Sequence, residues 1–248
     1  MNTIYILWLR QIKRYLRSKA RMIGSLGQPL LFLVALGFGF GPIYQKAGGG
    51  NYIQFLAPGI IAMAILFTGV FMGIQIIWDR QFGFLKETLV APVSRIEIMI
   101  GQTLGGATIA TAQGIIVFLL SMVVGFRPQS WIQLPMAFLF MILIAILFTA
   151  IGIAIASPME DMHGFQMVMN FLIMPIFFLS GALFPLDNVP GALSTLSHLN
   201  PLSYGIDGLR VALVDGSHFG LSFDLILLTG LVAFSMAIGG YLFSKIEI

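Results

Sequence analysis

The chain has 248 residues, of which 58% are hydrophobic and only 9% are charged, and its formal net charge at pH 7 is +3. Soluble domains carry about 25% charged residues, so this composition cannot cover a water-facing surface and excludes a soluble protein. The pI of about 9.3 does not indicate nucleic-acid binding, because so small a net charge provides no basic face. The lack of cysteine excludes disulfides, thiol catalysis and cysteine-bound metals.

Residues 2–20 are predicted to form an amphipathic helix. One face carries apolar and aromatic side chains at helical spacing: Ile4, Trp8, Ile12, Tyr15 and Leu16. The other face carries the cations Arg10, Lys13, Arg14 and Arg17. This pattern is typical of a helix that lies in the membrane interface with its cations at the lipid headgroups. No A-x-A cleavage pattern follows, so we interpret the segment as an uncleaved anchor, with or without a contact to a cytoplasmic partner.

Six charge-free stretches follow that are long enough to cross a bilayer, which takes about 20 apolar residues. They are 22–43, 52–78, 98–126, 131–157, 164–184 and 225–244. Lysine and arginine concentrate before the first stretch, between the second and third, and after the last. Because basic residues mark the cytoplasmic side, both termini are predicted to be cytoplasmic. The sequence therefore predicts one all-α membrane domain over residues 1–248, with six transmembrane helices.

The 79–97 segment is the predicted cytoplasmic connection between the second and third spans. It contains the charged sequence RQFGFLKETLVAPVSR at residues 80–95. A short helix is expected to stop at Ala91, because the residue before Pro92 avoids the α region. Ser94 and Glu97 have the capping-box spacing that begins a new helix. This pattern fits either an ordinary ordered loop or a docking site for another protein.

Two stripes at helical spacing are candidates for a translocation pathway. On the second span the stripe is Phe67, Phe71, Gln75 and Trp78, and on the fifth it is Gln166, Asn170, Met174 and Phe178. Polar groups inside a membrane bundle usually face its interior. Aromatic, methionine and amide side chains suit an amphiphile better than an ion, and packing or lipid contact is the alternative explanation. Gln102 and Gln113 on the third span are predicted to hydrogen-bond between helices.

Residues 184–218 are predicted to lie on the outer side as a lid over an external vestibule. Pro185, Pro190 and Pro201 separate apolar pieces that are too short to cross a bilayer. Irregular backbone at membrane depth is tolerated only where protein or water covers it, which favours re-entrant or interfacial helices. Asp207 and Arg210, three residues apart on one helical face, are predicted to pair.

Three motifs together resemble the type-2 ABC export permeases, in the branch of daunorubicin-resistance and nodulation-factor exporters. They are YIQFLAPGIIAM at 52–63, LKETLVAPVSR at 85–95 and LSHLNPLSYGIDGLR at 196–210. The resemblance covers essentially the whole chain. It implies a six-helix subunit of the prokaryotic inner membrane that pairs with a second copy of itself and with two separate ATPase subunits.

The resemblance also implies roles for particular residues. In this family the loop that matches the 79–97 segment is a coupling helix seated in a groove of the ATPase. This role falls on Arg80, Glu87, Pro92, Ser94 and Arg95. The translocation path of the family runs between the second and fifth spans at the dimer interface, where the two stripes described above lie. The implied cargo is an amphiphilic or lipophilic compound such as a drug, a lipid or a lipid-linked glycan.

The chain itself lacks the means to bind ATP. A phosphate-binding loop needs a Gly-Lys pair before a helix, and no lysine here follows a glycine. We therefore expect no cofactor on this chain, with ATP and Mg²⁺ held by the partner ATPase. The Gly37-x-Gly39-x-Gly41 pattern lies in the first span and favours close helix packing.

Two other functions are less consistent with the sequence. An ion-coupled secondary transporter usually places ionisable groups inside its spans, but none of the six predicted spans contains Asp, Glu, Lys or Arg. A membrane-embedded protease needs either two facing Asp residues or an H-E-x-x-H motif, and neither is present. The loop residues Glu160, Asp161 and His163 fit a solvated loop better than a metal site.

Overall fold

The computed structural model describes residues 3–48, 50–84, 93–186, 189–214, 216 and 218–245. The helices are α1 (Thr3–Arg17), α2 (Lys19–Lys46), α3 (Tyr52–Phe71), α4 (Ile74–Gln81), α5 (Arg95–Val124), α6 (Leu134–Ala156), α7 (Met162–Phe178), α8 (Gly191–Leu199), α9 (Pro201–Val214) and α10 (Leu221–Ser244). The predicted all-α membrane architecture is confirmed. Glu87 and Pro92 lie outside the described residues.

Each predicted span corresponds to one helix or to a helix pair. Five helical segments are long and apolar enough to cross a membrane: α2, α3 with α4, α5, α6 and α10. The predicted fifth span, 164–184, matches α7, which is only 17 residues long and contains Pro175. A helix of that length is at the lower limit for crossing the hydrocarbon core. After α7 the chain continues inward through turns to Ala182, which is fully buried.

Successive helices run between two ends of the bundle, which we call the basic end and the lid end. The basic end holds α1 and the contact in which Arg95 donates to the carbonyl oxygen of Ser244. The lid end holds α8, α9 and the bond from the Tyr52 hydroxyl to the carbonyl oxygen of Leu183, at 2.8 Å. Because the chain alternates between these ends, α1 and the end of α10 both lie at the basic end, and α5 contacts each of them.

The central column is α3 with α4. In its most apolar stretch of 18 residues, 78% of the residues are buried, whereas in the corresponding stretches of α2 and α10 only 17% are. Where α3 gives way to α4, it crosses α6 at backbone contact. A Cβ on Gly152 would overlap the carbonyl oxygen of Val70, and a Cβ on Gly73 would overlap that of Gly152. Small residues are common at such crossings, since in lipid the helices are held largely by van der Waals packing.

The glycines of the first span contribute less than predicted. A Cβ on Gly37 would lie 3.0 Å from Cγ1 of Ile53, so this glycine does bring α2 close to α3. An added Cβ on Gly39 or Gly41 would meet nothing within 4 Å. The packing interpretation is therefore confirmed for Gly37 and is wrong for the other two within the described chain.

The N-terminal helix α1 packs lengthwise on α5. Gly101 and Gly105 of α5 allow the approach, since an added Cβ would press on Leu7 and Gln11 of α1. The buried residues of α1 are Leu7, Gln11 and Tyr15. Leu16, predicted on the apolar face, is 57% exposed. The position of α1 relative to the bilayer surface stays a prediction.

The glycine crossing generates the first prediction. We expect Gly152→Ala to lower the free energy of unfolding by about 1–3 kcal/mol, because the added methyl group must push two backbones apart. Thermal unfolding of the purified protein in detergent measures this. Gly39→Ala is the matched control, because its methyl group meets open space. Equal melting temperatures for the two variants would contradict the packing argument.

Candidate functional site

The start of the 79–97 segment is held by a buried ion-pair group. Asp79, in the last turns of α4, is 3% exposed. Arg10 binds both of its carboxylate oxygens, at 2.8 and 2.9 Å. Arg14, one turn further along α1, donates to the same carboxylate at 3.2 Å. A bidentate arginine is the geometry that suits a desolvated carboxylate best, so α1 and α4 are joined by charge.

Aromatic rings extend this group on both sides. The Arg10 guanidinium lies 3.6 Å from the ring centroid of Phe84. Trp78 lies beside two cations, with Arg14 at 5.4 Å and Arg21 at 5.2 Å from its ring. Such cation–π contacts are stronger where water is excluded. The group therefore links α1, α2, α4 and the first described residues of the 79–97 segment.

Arg80 attaches the same segment to a second element. Its guanidinium donates to the carbonyl oxygens of Ser157, at 2.6 Å, and Met159, at 2.9 Å, just after α6 ends. The Gln81 side chain adds a bond to the carbonyl oxygen of Glu160 at 3.0 Å. These bonds attach the residues at the end of α4 to backbone carbonyl groups of the turn that follows α6. Arg80, carried over as a coupling residue, is thus engaged within the chain.

The far end of the 79–97 segment is fixed by Arg95, which donates to the carbonyl oxygen of Ser244 at the end of α10. Ser94 occupies the N-cap position of α5, as predicted, but its side chain makes no capping hydrogen bond. The predicted capping box is wrong in this respect. The coupling role of Arg80, Ser94, Arg95, Glu87 and Pro92 stays a prediction.

The next loop, between α6 and α7, is organised by Asp161. Its carboxylate accepts hydrogen bonds from the backbone N–H groups of Gly164, at 2.6 Å, and His163, at 3.2 Å, and so caps α7. Those two bonds lower the pKa of Asp161 below its usual value. Within the described residues, no group of three His, Asp or Glu side chains could hold a metal.

The stripe on the second span lines a cavity between α2 and α3 with α4. This α2–α3 cavity has a volume of about 350 Å³, and its walls include Phe67, Phe71, Gln75, Trp78, Tyr15 and Arg21. The rings of Phe67 and Phe71 stack with centroids 6.5 Å apart. Gln75 is 3% exposed, and its Oε1 accepts no hydrogen bond from the described residues. The second-span stripe therefore does line a half-open cavity.

The stripe on the fifth span has a different environment. Gln166, Asn170, Met174 and Phe178 all lie on the exposed face of α7. Next to them, Phe171 is 84% exposed. None of the four borders the α2–α3 cavity. Within one described chain the two stripes are therefore not brought together, and their role as a shared pathway stays a prediction.

The lid end is tied to α7 by polar side chains of α9 and its cap. Asn200 donates to the carbonyl oxygen of Ile176 at 2.6 Å and accepts from the N–H of Leu202. Arg210 donates to the carbonyl oxygen of Gly181 at 2.7 Å. Asp207 accepts from the N–H groups of His218 and Phe219. Asp207 and Arg210, predicted to pair, thus bind different described partners.

Sequence reasoning missed Asp79 and Tyr15. The prediction treats Asp79 only as the first residue of the cytoplasmic connection. In the sequence, however, Asp79 is the only acidic residue between the cationic N-terminal helix and Glu87. That isolation was the available signal. Tyr15 donates to Oε1 of Gln113 at 2.9 Å, which confirms the predicted interhelical role of Gln113. Its partner could not be read from the sequence.

Comparison with known proteins identifies the fold family. The family model described as ABC-2 type transporter matches residues 2–214. The chain belongs to the ABC-2 type transporter family. The permease is thus a multi-pass membrane protein and a transport subunit of the ABC exporter type, as the three motifs indicated.

Named relatives of the permease agree with this. The transport permease ycf38 of Cyanophora paradoxa is 31% identical over 99% of this chain and 89% of its own length. Nodulation protein J of Rhizobium leguminosarum bv. trifolii is 29% identical over 83% of this chain and 76% of its own. The inner membrane transport permease YadH of Escherichia coli K12 is 28% identical over 82% of this chain and 80% of its own.

The ion-pair group of the permease generates the second prediction. We expect Asp79→Asn and Arg10→Gln each to lower the free energy of unfolding by about 1–3 kcal/mol, because each leaves a partly desolvated charge without its partner. A double-mutant cycle, measured by thermal unfolding, should give a coupling of at least about 0.5 kcal/mol. Glu160→Gln, at an exposed carboxylate, is the control. Strictly additive losses would show that the pair contributes nothing.

Proposed function

We propose that the permease is the membrane subunit of an ATP-driven exporter, that it works as a homodimer, and that two separate ATPase subunits drive it. ATP binding closes the ATPase pair, which displaces the 79–97 segment. This displacement biases the paired bundles between inward-open and outward-open states. The cargo is an amphiphilic or lipophilic compound that leaves the cytoplasm. ATP and Mg²⁺ are held by the ATPase, and both termini of the permease are cytoplasmic.

The observation that carries this proposal is the attachment of the 79–97 segment. At its start, Asp79 is bound to α1 through Arg10 and Arg14. Arg80 is bound to the end of α6, and Arg95 to the end of α10. The described ends of the segment, residues 79–84 and 93–97, therefore cannot move independently of the helices to which they are bound. A push on the segment is passed to three parts of the bundle, which is what mechanical coupling to an ATPase needs.

The homodimer is supported by the exposed side of α7, where the amides Gln166 and Asn170 lie among apolar side chains. Met167, Phe171, Met174 and Phe178 lie on one side of α7, and each is at least 39% exposed. A second copy that covers this side would bring two α7 stripes together across a symmetry axis. The α7 amides Gln166 and Asn170 would then border space between the subunits. This arrangement would bring the two copies of the fifth-span stripe together at the dimer interface.

One observation favours the ion-coupled alternative. The carboxylate of Asp224, in the first turn of α10, lies beside that of Asp207, and both residues are at most 3% exposed. Buried acids in transporters often bind coupling ions. Transport by sealed vesicles separates the two functions. The exporter requires ATP and works without an ion gradient, whereas a secondary transporter stops when a protonophore or ionophore removes the gradient.

The third prediction concerns the ATPase partner. Because the chain has no cysteine, a single cysteine at Phe82, which is 80% exposed, gives a unique crosslinking site within the 79–97 segment. In native vesicles we expect Phe82→Cys to crosslink to a protein that binds and hydrolyses ATP. Leu199→Cys, at a 76% exposed position of the lid end, should not. Recovery of no ATP-hydrolysing companion from Phe82→Cys would end the proposal.

The fourth prediction concerns charge in the same segment. We expect Glu87→Arg to lower transport and substrate-linked ATPase activity more than tenfold, because charge reversal in a close interface costs several kcal/mol. Glu160→Arg, with the same change of charge in the neighbouring loop, is the control. Both variants should insert at equal levels, and neither they nor the parent permease should bind ATP alone. Normal transport by Glu87→Arg would refute the docking role.

A further inference from the structure

The α2–α3 cavity combines an apolar interior with a cationic rim. Its interior is lined by Met63, Phe67, Phe71 and other apolar side chains, and its volume is about 350 Å³. Arg21 stands at the rim, above the ring of Trp78. A cavity of this size falls within the range that holds small organic ligands. The combination indicates a ligand with an apolar part and a polar end.

The charge at the rim is positive and largely unbalanced. The first 21 residues contain six lysines and arginines and no acidic residue. Asp79, the acid paired with this region, already binds Arg10 and Arg14. No described carboxylate lies within ion-pair distance of Arg21, whose guanidinium carbon lies 5.2 Å from the ring centroid of Trp78. A guanidinium beside an aromatic ring can still donate its edge N–H groups to an anion.

The polar side chains deeper in the cavity fit a ligand that also donates hydrogen bonds. Gln75 is buried with an Oε1 that has no described donor. Ser25 and Gln28 of α2 line the same cavity. A buried amide oxygen without a donor is costly, so a hydroxyl group of a bound molecule would be stabilising there.

We propose that the α2–α3 cavity binds one membrane amphiphile with an anionic phosphate headgroup. The headgroup lies at the Arg21 edge, and the apolar chain lies along Phe67 and Phe71. This inference rests on the proposed export function and names its substrate class. The cavity is lined by the second-span stripe, and its rim adjoins the ion-pair group, so a bound amphiphile contacts the same helices that carry the 79–97 segment.

The experiment uses one tryptophan as a reporter. The chain has three tryptophans, and Trp8→Phe with Trp131→Phe leaves Trp78 alone in the cavity wall. The full-length variant is purified in a non-ionic detergent, and three single-chain probes with brominated tails of equal length are added: an alkyl phosphate, an alkyl phosphocholine and an alkyl glycoside. Bromine quenches tryptophan fluorescence on contact.

We expect saturable quenching of Trp78 by the alkyl phosphate, at a concentration about fivefold or more below that needed for the other two probes, the effect of one cation near a surface. Arg21→Gln should abolish this preference. Lys19→Gln removes the same charge from α2 at a position that does not line the cavity, so this variant should keep the preference for the phosphate probe. Gly24→Leu, which fills the cavity where an added Cβ meets open space, should reduce quenching by the phosphate probe.

Several outcomes would overturn the inference. Non-saturable quenching that is equal for the three probes would mean partition into the detergent belt. If Arg21→Gln kept the preference for the phosphate probe, Arg21 would not be the cation that binds the headgroup. Displacement of the probe by inorganic phosphate at similar concentration would mean that the site takes an anion and not an amphiphile. The assay contains neither ATPase nor nucleotide, so its failure leaves the exporter proposal standing, whereas failure of the Phe82→Cys crosslink leaves this site untouched.

Discussion

A carboxylate buried near the end of a membrane helix needs a fixed counter-charge, and Asp79 meets this need by binding the N-terminal helix. Arg10 and Arg14 both point to it, and removal of either side would leave charge in a desolvated place. Because Arg10 also covers Phe84, the positions of α1, α4 and the start of the 79–97 segment depend on one another. In this arrangement α1 is part of the bundle, held by ion pairs to α4 and by close packing on α5.

The middle of the bundle is rigid for a different reason. At Gly73 and Gly152 the backbones of α3–α4 and α6 touch, with no side chain between them that could adjust. Toward the lid end, Asn200 and Arg210 bind carbonyl groups beyond or near the end of α7. Motion that starts at the basic end would therefore pass along packed helices to a lid that is attached through hydrogen bonds. The hydrogen bonds at the lid end can exchange partners, so the lid can rearrange. The backbone crossing of α3–α4 and α6 is close-packed and cannot separate by small steps.

The proposed pathway uses two surfaces, the α2–α3 cavity and the exposed side of α7. The second-span stripe borders the α2–α3 cavity within one subunit, and the fifth-span stripe lies on the exposed side of α7. A cargo with an anionic head and an apolar chain would meet arginine and aromatic side chains first, and the exposed α7 face of the dimer next. The ion-pair group lies beside the first of these surfaces, so cargo and ATPase would act on neighbouring residues.

The sequence by itself determined the fold class and the approximate limits of the five long apolar segments, because the hydrocarbon core imposes a length and an apolar composition that are visible residue by residue. It also placed the short lid helices, since prolines interrupt the chain at 190 and 201. The sequence could not show that Gln11 and not Leu16 lies on the buried side of α1, because that choice depends on the glycines of α5 that α1 meets. Nor could it pair Arg10 with Asp79, which lie 69 residues apart. Only the tertiary structure decided these contacts, since they depend on which helix faces are brought together, and hydrophobic length alone does not specify a face.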